Sequence, residues 1–267
     1  MARIGAVASC LAMGYWFLGG CGIEPSALDD DEQTSEDRGD IQIAYQPGED
    51  EEQEAIRQII ENSGWFDEIA DDLNDNLILP EDISVRFEAC DESNAFYDPE
   101  TVEISMCYEL IQDYEEILEE DSDSAADREA NILNAALFTF YHELGHALVD
   151  QLDLPITGRE EDAVDEFAAV MLLYWDEDHE AALSGAWQFD VDAQEAAELD
   201  ELAYWGEHSL DIQRFYNVLC LIYGSDPDYY TFLVEDGDLP EERAETCELE
   251  YEQKSEIWME LLDPHLK

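Results

Sequence analysis

Residues 138–148 read FTFYHELGHAL and contain the pattern H-E-x-x-H. Residues four apart on a helix lie above one another on the same face, so His142 and His146 can direct two imidazoles at one point. Neutral imidazole nitrogen, at about 2.0–2.1 Å, is a preferred ligand of Zn²⁺. Glu143 can reach a water bound to that metal and act on it as a general base. The pattern therefore predicts a zinc site with a hydrolytic base beside it.

The same three polar residues could instead form a solvated patch or a contact with a partner. However, the chain has 5 His in all, and two of them stand at this spacing. Apolar neighbours such as Phe138, Leu144 and Leu148 predict a buried helix, where unused polar side chains are unfavourable. The metal site is the better interpretation.

The charge of the chain restricts its partners. There are 71 Asp and Glu against 10 Lys and Arg, which gives a net charge of −61. Self-repulsion on this scale keeps a protein soluble and makes nucleic acid a poor partner. The hydrophobic content of 46% is sufficient for a packed core in a chain of 267 residues.

Residues 1–20 are typical of a signal peptide. Arg3 supplies a positive start, and the apolar stretch 7–18 is too short to span a bilayer. The ending LGGC at residues 18–21 resembles a bacterial lipobox, which implies lipidation of Cys21. By the same resemblance, Gly22 favours the outer membrane. We expect an exported protein that is lipid-anchored to the bacterial envelope, with an ordinary secretory signal and a periplasmic or extracellular protein as the alternative.

Residues 21–50 combine Pro, Ser and Gly with acidic runs, which predicts a disordered acidic tether. Residues 51–267 are predicted to form the folded domain. Apolar residues at helical spacing alternate there with two short stretches of period two. The resulting prediction is an α+β, mainly helical fold with a small antiparallel sheet beside the H-E-x-x-H helix. The expected helices include 51–62, 66–73, 109–120 and 125–152, the last ended by Pro155 and Gly158, and the expected strands are 83–87 and 102–106.

A catalytic zinc site needs a third protein ligand and an open position. The next acidic segment, REEDAVDE, occupies residues 159–166. Glu161 and Asp165 share one helical row with apolar residues, which directs them to the buried side. Glu160 lies on an adjacent row and remains an alternative ligand. Asp162 and Glu166 lie away from both rows and are expected to be solvated.

This arrangement resembles the gluzincin metallopeptidases, in which H-E-x-x-H is followed on a second helix by E-x-x-x-D. The resemblance implies a zincin-like fold, with Glu161 as the third zinc ligand and Asp165 orienting a zinc-bound histidine. The runs HELGHAL and REEDAVDEFAA also look like a bacterial family of exported metallopeptidases of unknown substrate. That likeness extends over roughly residues 50–265.

Hydrolysis of a peptide develops an oxyanion that a positioned donor can stabilise. His208 and Arg214 are similar to a His-then-Arg segment found in some membrane-associated gluzincins, which implies catalytic roles for both. The segment here lacks the Pro that usually separates the two residues. His208 could instead be a surface residue and Arg214 a partner of an acid, with Tyr216 or Tyr141 as the donor.

Four cysteines remain after Cys10 and Cys21 are set aside. An even number in an exported protein predicts disulfides, with three possible pairings. We favour one bridge across the strand pair and another between two C-terminal helices. These bridges are Cys90–Cys107 and Cys220–Cys247.

The sequence thus predicts a zinc-dependent endopeptidase that acts on peptides or proteins. Segments 92–97 and 102–106 are the expected substrate edge, because peptides often add a strand to an exposed sheet edge. The alternative is a non-catalytic zinc-containing binding lipoprotein. Three ligands with a free Glu143 favour the enzyme, since closed structural sites have four ligands.

Overall fold

The computed structural model of the protein describes residues 37–118, 124–175, 178–195 and 204–267. These residues belong to one unit, Ser35–Lys267. The predicted signal peptide, the predicted lipidation site Cys21 and residues 21–36 of the predicted tether lie outside the described ranges.

Within the described residues, the sheet has four strands in the order β1-β2-β4-β3. The pairs β1–β2 and β2–β4 are parallel, and β3–β4 is antiparallel. The predicted antiparallel pairing is therefore right for one pair only, and the sheet is mixed. Two helices connect β1 to β2, a crossover that brings strands together in parallel. The strands are β1 (Ile41–Tyr45), β2 (Ile83–Glu88), β3 (Ala95–Asp98) and β4 (Glu103–Cys107).

Strand β1 corrects the predicted boundary at residue 50. Ile41 is buried and lies opposite Ile83, so the folded part begins inside the segment assigned to the tether. The strand is short and follows a strongly acidic stretch, which hides its alternation in the composition of the whole segment. Pairing with β2 and packing against α2 give these residues surface to bury.

Helices form most of the remaining described structure, so the fold is mainly helical α+β. The predicted helix bounds near residues 51, 66 and 125 are close to those observed. The helices are α1 (Glu51–Ser63), α2 (Trp65–Asn76), α3 (Tyr108–Leu118), α4 (Ala125–Gln151), α5 (Glu160–Val170), which continues as a π-helical turn (Met171–Trp175), α6 (His179–Glu195), α7 (Asp211–Ser225), α8 (Thr231–Glu235) and α9 (Glu241–Leu262), followed by a 3-10 turn (Asp263–His265).

Helix α4 lies at the centre of the core. It is buried continuously over residues 132–145 and packs against α3, α5, α6 and β3. The ring of Phe140 meets that of Phe66 edge-on at 5.6 Å, and Phe66 meets Phe87 of the sheet at 4.8 Å. A helix that is enclosed in this way is apolar on nearly every face. The polar residues of H-E-x-x-H therefore lie inside the core.

Helix α4 ends in a left-handed turn. Asp153 has a φ of 53°, and the Leu154 N–H donates to the Val149 carbonyl at 3.0 Å. This is the hydrogen bond of a Schellman motif, with Asp153 in the position that glycine usually takes. The helix thus ends close to the predicted residue, although Asp153 makes the turn that was assigned to Pro155 and Gly158.

Two disulfides join parts of the described chain. Cys90–Cys107 ties the segment after β2 to the end of β4, and Cys220–Cys247 joins α7 to α9. This is the pairing that the sequence favoured. Within the described ranges, no helix combines the length and the apolar character needed to cross a bilayer.

Candidate metal centre

Helices α4 and α5 approach each other closely at Gly145. A Cβ atom added there would lie 2.9 Å from Val164 Cβ and 3.0 Å from the Phe167 ring. Any larger residue would therefore push the helices apart. The glycine inside the H-E-x-x-H motif allows the acidic start of α5 to reach the two histidines.

One carboxylate oxygen of α5 lies among three imidazoles. Glu161 Oε2 is 3.3 Å from His142 Nε2 and 3.5 Å from His146 Nε2. It is also 2.9 Å from Nε2 of His208, which precedes α7. The donor atoms of His142, Glu161 and His208 all lie within 4.8 Å of one another. His146 is outside that mutual set, and its contact with it is the one to Glu161. Imidazole nitrogen and carboxylate oxygen together form a donor set that suits a divalent transition metal.

The buried state of Glu161 Oε2 tests whether a metal fits. This atom is shielded from solvent and has no partner with hydrogen-bond geometry among the described residues, although three nitrogens surround it at short range. Burial alone would raise the pKa of Glu161, but the three imidazoles hold it below its ordinary value. An ionised, buried oxygen without a hydrogen bond is unfavourable. A cation bound between it and the nitrogens would remove that penalty, so the residues fit a metal.

His142 is supported from behind by buried charges. Its Nδ1 lies 2.9 Å from Asp165 Oδ1. Arg214 donates two hydrogen bonds to Asp165, from Nε at 2.7 Å and from Nη2 at 2.8 Å. The Arg214 guanidinium also lies 3.9 Å from the centre of the Phe189 ring. Burial acts to raise the pKa of Asp165, but Arg214 and His142 lower it, so the carboxylate is ionised and can only accept. His142 Nδ1 therefore carries a proton, and its Nε2 faces Glu161.

His146 has a different support. Its Nδ1 lies 2.8 Å from Glu160 Oε1, a carboxylate whose side chain is 50% exposed. Glu160 therefore faces the ring nitrogen opposite to the one that faces Glu161. The sequence had left Glu160 open as the third ligand and missed this contact. The available signal was its position on the row of α5 next to that of Glu161.

Glu143 is the third polar residue of the motif. It is 6% exposed, and burial raises the pKa of its carboxyl group. The backbone of Tyr97 in β3 acts in the opposite direction and lowers this pKa. The side chain thus borders an open space while most of its surface is removed from water.

A cleft of about 670 Å³ opens above these residues. Strand β3 forms one wall, and the C-terminal half of α4 with the start of α5 forms the other. β3 is an edge strand, in line with the substrate edge predicted at residues 92–97. The other predicted edge, residues 102–106, belongs to β4, which lies between β2 and β3.

The predicted oxyanion donors are placed differently. His208 reaches the carboxylate of Glu161, whereas Arg214 is held by Asp165, which is the alternative that the sequence left open. Tyr141 is completely buried between the rings of Phe140 and Phe167, away from the cleft. Tyr216 packs on Phe215 and does not line the cleft.

The two carboxylates expected to be solvated are in fact partly buried. Asp162 accepts a hydrogen bond from Ser209 Oγ at 2.9 Å. Glu166 accepts one from Lys254 Nζ at 2.6 Å. Helical periodicity showed that Asp162 and Glu166 lie on a different face of α5 from Glu161. It could not show that α7 and α9 cover that face.

Together, the donor set, the supported imidazoles and the buried Glu143 define a candidate metal centre at the base of a cleft. A family model described as "Putative metallopeptidase" matches residues 45–262. The chain therefore belongs to this family, which implies a metal cofactor and peptide or protein substrates. No curated protein and no solved structure shows significant similarity to the chain.

Proposed function

We propose that the protein is a zinc-dependent endopeptidase of the gluzincin type, with zinc held by His142, His146 and Glu161. The observation that carries the proposal is the buried oxygen of Glu161 among imidazole nitrogens. Donors bound at about 2.0–2.1 Å to a tetrahedral zinc lie about 3.3 Å from one another. The distances of 3.3 and 3.5 Å from Glu161 Oε2 to His142 and His146 fit that spacing.

The chemistry divides between the metal and Glu143. When bound, zinc polarises the scissile carbonyl and lowers the pKa of water. Glu143 takes a proton from the attacking water and later gives it to the leaving amine nitrogen. Burial raises the pKa of Glu143, which makes it a stronger base than a solvated carboxylate and favours both steps.

The two residues downstream have separate roles in this proposal. His208 points into the cleft and serves as a donor to the carbonyl oxygen as negative charge develops there. Arg214 acts through Asp165, because its guanidinium is occupied by that carboxylate. Arg214 is therefore a positioning residue for His142.

The cleft favours particular substrates. A peptide can extend along β3 as an added strand, which uses main-chain hydrogen bonds. Asp150, Asp153 and Glu160 line the opposite wall, and none of the described lining residues is Lys or Arg. We therefore propose neutral or basic peptides as preferred substrates over acidic ones, whose charge would be repelled.

We also propose that the enzyme is an exported lipoprotein anchored through Cys21 to the bacterial outer membrane. The support is the signal-like sequence of residues 1–20 and the two disulfides, which persist in oxidising compartments. Cys21→Ser should move the protein from the membrane fraction to the soluble fraction after fractionation of the producing cells. Retention in the membrane would contradict lipidation at this residue.

Zinc content and peptide cleavage test the enzymatic proposal together. The wild type should bind one zinc per chain, and Glu161→Ala should lose it. Glu160→Ala is the control and should keep it. Glu143→Gln should keep zinc and lose cleavage by about 10²–10⁴-fold.

Absence of zinc in the wild type would refute the proposal. Retention in Glu161→Ala, with loss in Glu160→Ala, would give the ligand position to Glu160. Zinc without cleavage of any peptide would favour the alternative of a non-catalytic binding protein.

A further inference from the structure

His208 reaches the metal centre from outside the two helices that carry the other donors. It lies in the segment before α7, and its Nε2 is 2.9 Å from Glu161 Oε2. His208 thus approaches the same oxygen as the two H-E-x-x-H histidines, which lie 3.3 Å and 3.5 Å from it. His208 is also a member of the set whose donor atoms all lie within 4.8 Å of one another.

Hydrogen bonds with residues at the start of α5 hold the backbone around His208 in place. Arg159 Nη1 donates to the His208 carbonyl at 2.7 Å. Ser209 Oγ donates to Asp162 Oδ2 at 2.9 Å. Both contacts come from residues that flank Glu161 within three positions on the chain. The structure thus fixes the base of the His208 side chain relative to the carboxylate it meets.

We infer that His208 is a fourth, displaceable protein ligand of the metal in the resting protein. This inference rests on the metal site of the proposed function. The side chains of His142 and His146 are 10% and 15% exposed, whereas that of His208 is 53% exposed. His208 is therefore the outermost donor, and it leaves the centre without exposing core surface.

Four protein donors would complete a tetrahedral zinc site and leave no position for a substrate carbonyl. His208 must then give way when a substrate or a metal-binding inhibitor enters. Both anchors act on atoms outside the imidazole, namely the His208 carbonyl and the next side chain. The ring can rotate about its side-chain bonds while the segment stays attached to α5.

X-ray absorption at the zinc edge counts imidazole ligands directly. We expect three imidazoles in the zinc-loaded wild type and two in His208→Ala. His265→Ala is the matched control, because it removes a histidine from the C-terminal turn, and it should show three. Addition of a peptide hydroxamate to the wild type should reduce the number from three to two.

Zinc affinity gives a second measurement, by competition with a chelator. His208→Ala should bind zinc at least about 10-fold more weakly than the wild type. Arg159→Gln removes one anchor but no donor atom and should show a smaller loss. His265→Ala should bind as tightly as the wild type.

Two imidazoles in the resting wild type, or unchanged affinity in His208→Ala, would overturn the inference while leaving the zinc enzyme intact. Three imidazoles that persist with the hydroxamate bound would overturn displacement. A wild type that binds no zinc would instead overturn the proposed function itself.

Discussion

The two imidazoles of H-E-x-x-H are four residues apart, yet the molecule supports them in different ways. Behind His142, Asp165 is 5% exposed and is held by Arg214, which is 13% exposed. Behind His146, Glu160 is 50% exposed. A charge pair inside the protein is poorly screened, whereas an exposed one is weakened by water and salt. One ring is therefore held by a buried chain of charges and the other by a surface contact.

This difference shows where mutation should matter. Removing one member of a buried pair leaves the other charge without a partner, which is far more destabilising than losing the pair as a whole. Removing an exposed partner leaves a group that water can solvate. The two sides of one metal centre should thus respond to equivalent changes by very different amounts.

The largest effect is expected for Asp165→Ala. It leaves the Arg214 guanidinium buried without its carboxylate and should lower the free energy of unfolding by about 3–5 kcal/mol, as measured by urea denaturation. Asp162→Ala is the control on the same helix, since its partner is the neutral Ser209, and it should cost less. A loss below about 1 kcal/mol for Asp165→Ala would contradict the comparison.

In the metal-free protein, the buried support of His142 should make the free energy of unfolding depend on pH. Burial alone would lower the pKa of His142, but Asp165 and Glu161 outweigh it and raise the pKa to about 9. The unfolded value is about 6.5, so protonated His142 stabilises the metal-free protein fully below that pH. This contribution, at most about 3 kcal/mol, should be lost as pH rises from about 6.5 to 9.

Chemical denaturation across this pH range measures that loss. The metal-free His142→Ala variant should show a smaller decline, because the pKa of His146 is also raised by its contacts with Glu161 and Glu160 against the effect of burial. The zinc-loaded protein should lack the decline, because the metal replaces the proton on Nε2. An equal decline in metal-free His142→Ala would assign the pH dependence to another group.

Gly145→Ala changes the distance between the helices that both sides share. The added methyl would lie 2.9 Å from Val164 and 3.0 Å from Phe167, so α5 must shift, and we expect a loss of about 1–3 kcal/mol of stability. Gly158→Ala is the control, because a Cβ there meets nothing within 4 Å. Combination with Val164→Ala should recover part of the loss. Equal melting temperatures for the two glycine variants would show that the interface between α4 and α5 accommodates a methyl group at residue 145.

The smallest effect is expected for Glu160→Gln. The amide oxygen can still accept from His146 Nδ1, and the lost charge is exposed, so stability should change by less than about 1 kcal/mol. Zinc affinity should fall by less than about 10-fold, whereas the matched Asp165→Asn should reduce it by about 10–100-fold. If chelator competition showed the same loss of zinc affinity in Glu160→Gln and Asp165→Asn, burial would not explain a difference between the two carboxylates.

The sequence predicted much of this site because helical geometry is local. A spacing of four places His142 and His146 on one face, and the same period places Glu161 and Asp165 on one row of α5. The bounds of α4 were close for the same reason. Strand β1 was missed because a short strand has little signal of its own and depends on its neighbour β2.

Contacts between distant segments could not be predicted in this way. Glu160 and Glu161 are adjacent, yet one faces Nδ1 of His146 and the other faces Nε2, and only the packing angle of α5 on α4 separates them. The contact of His208 with Glu161 depends on the segment before α7 being fastened to α5 by Arg159 and Ser209.

The sequence by itself determined the helical elements, the H-E-x-x-H face, the acidic row of α5 and the preferred disulfide pairing, since each follows from spacing along the chain. Tertiary structure decided the parallel pairing of β1 and β2, the burial of Asp165 beside Arg214 and the approach of His208 to Glu161. These features arise where separate elements exclude water from one another, and the strength of their charges depends on that exclusion.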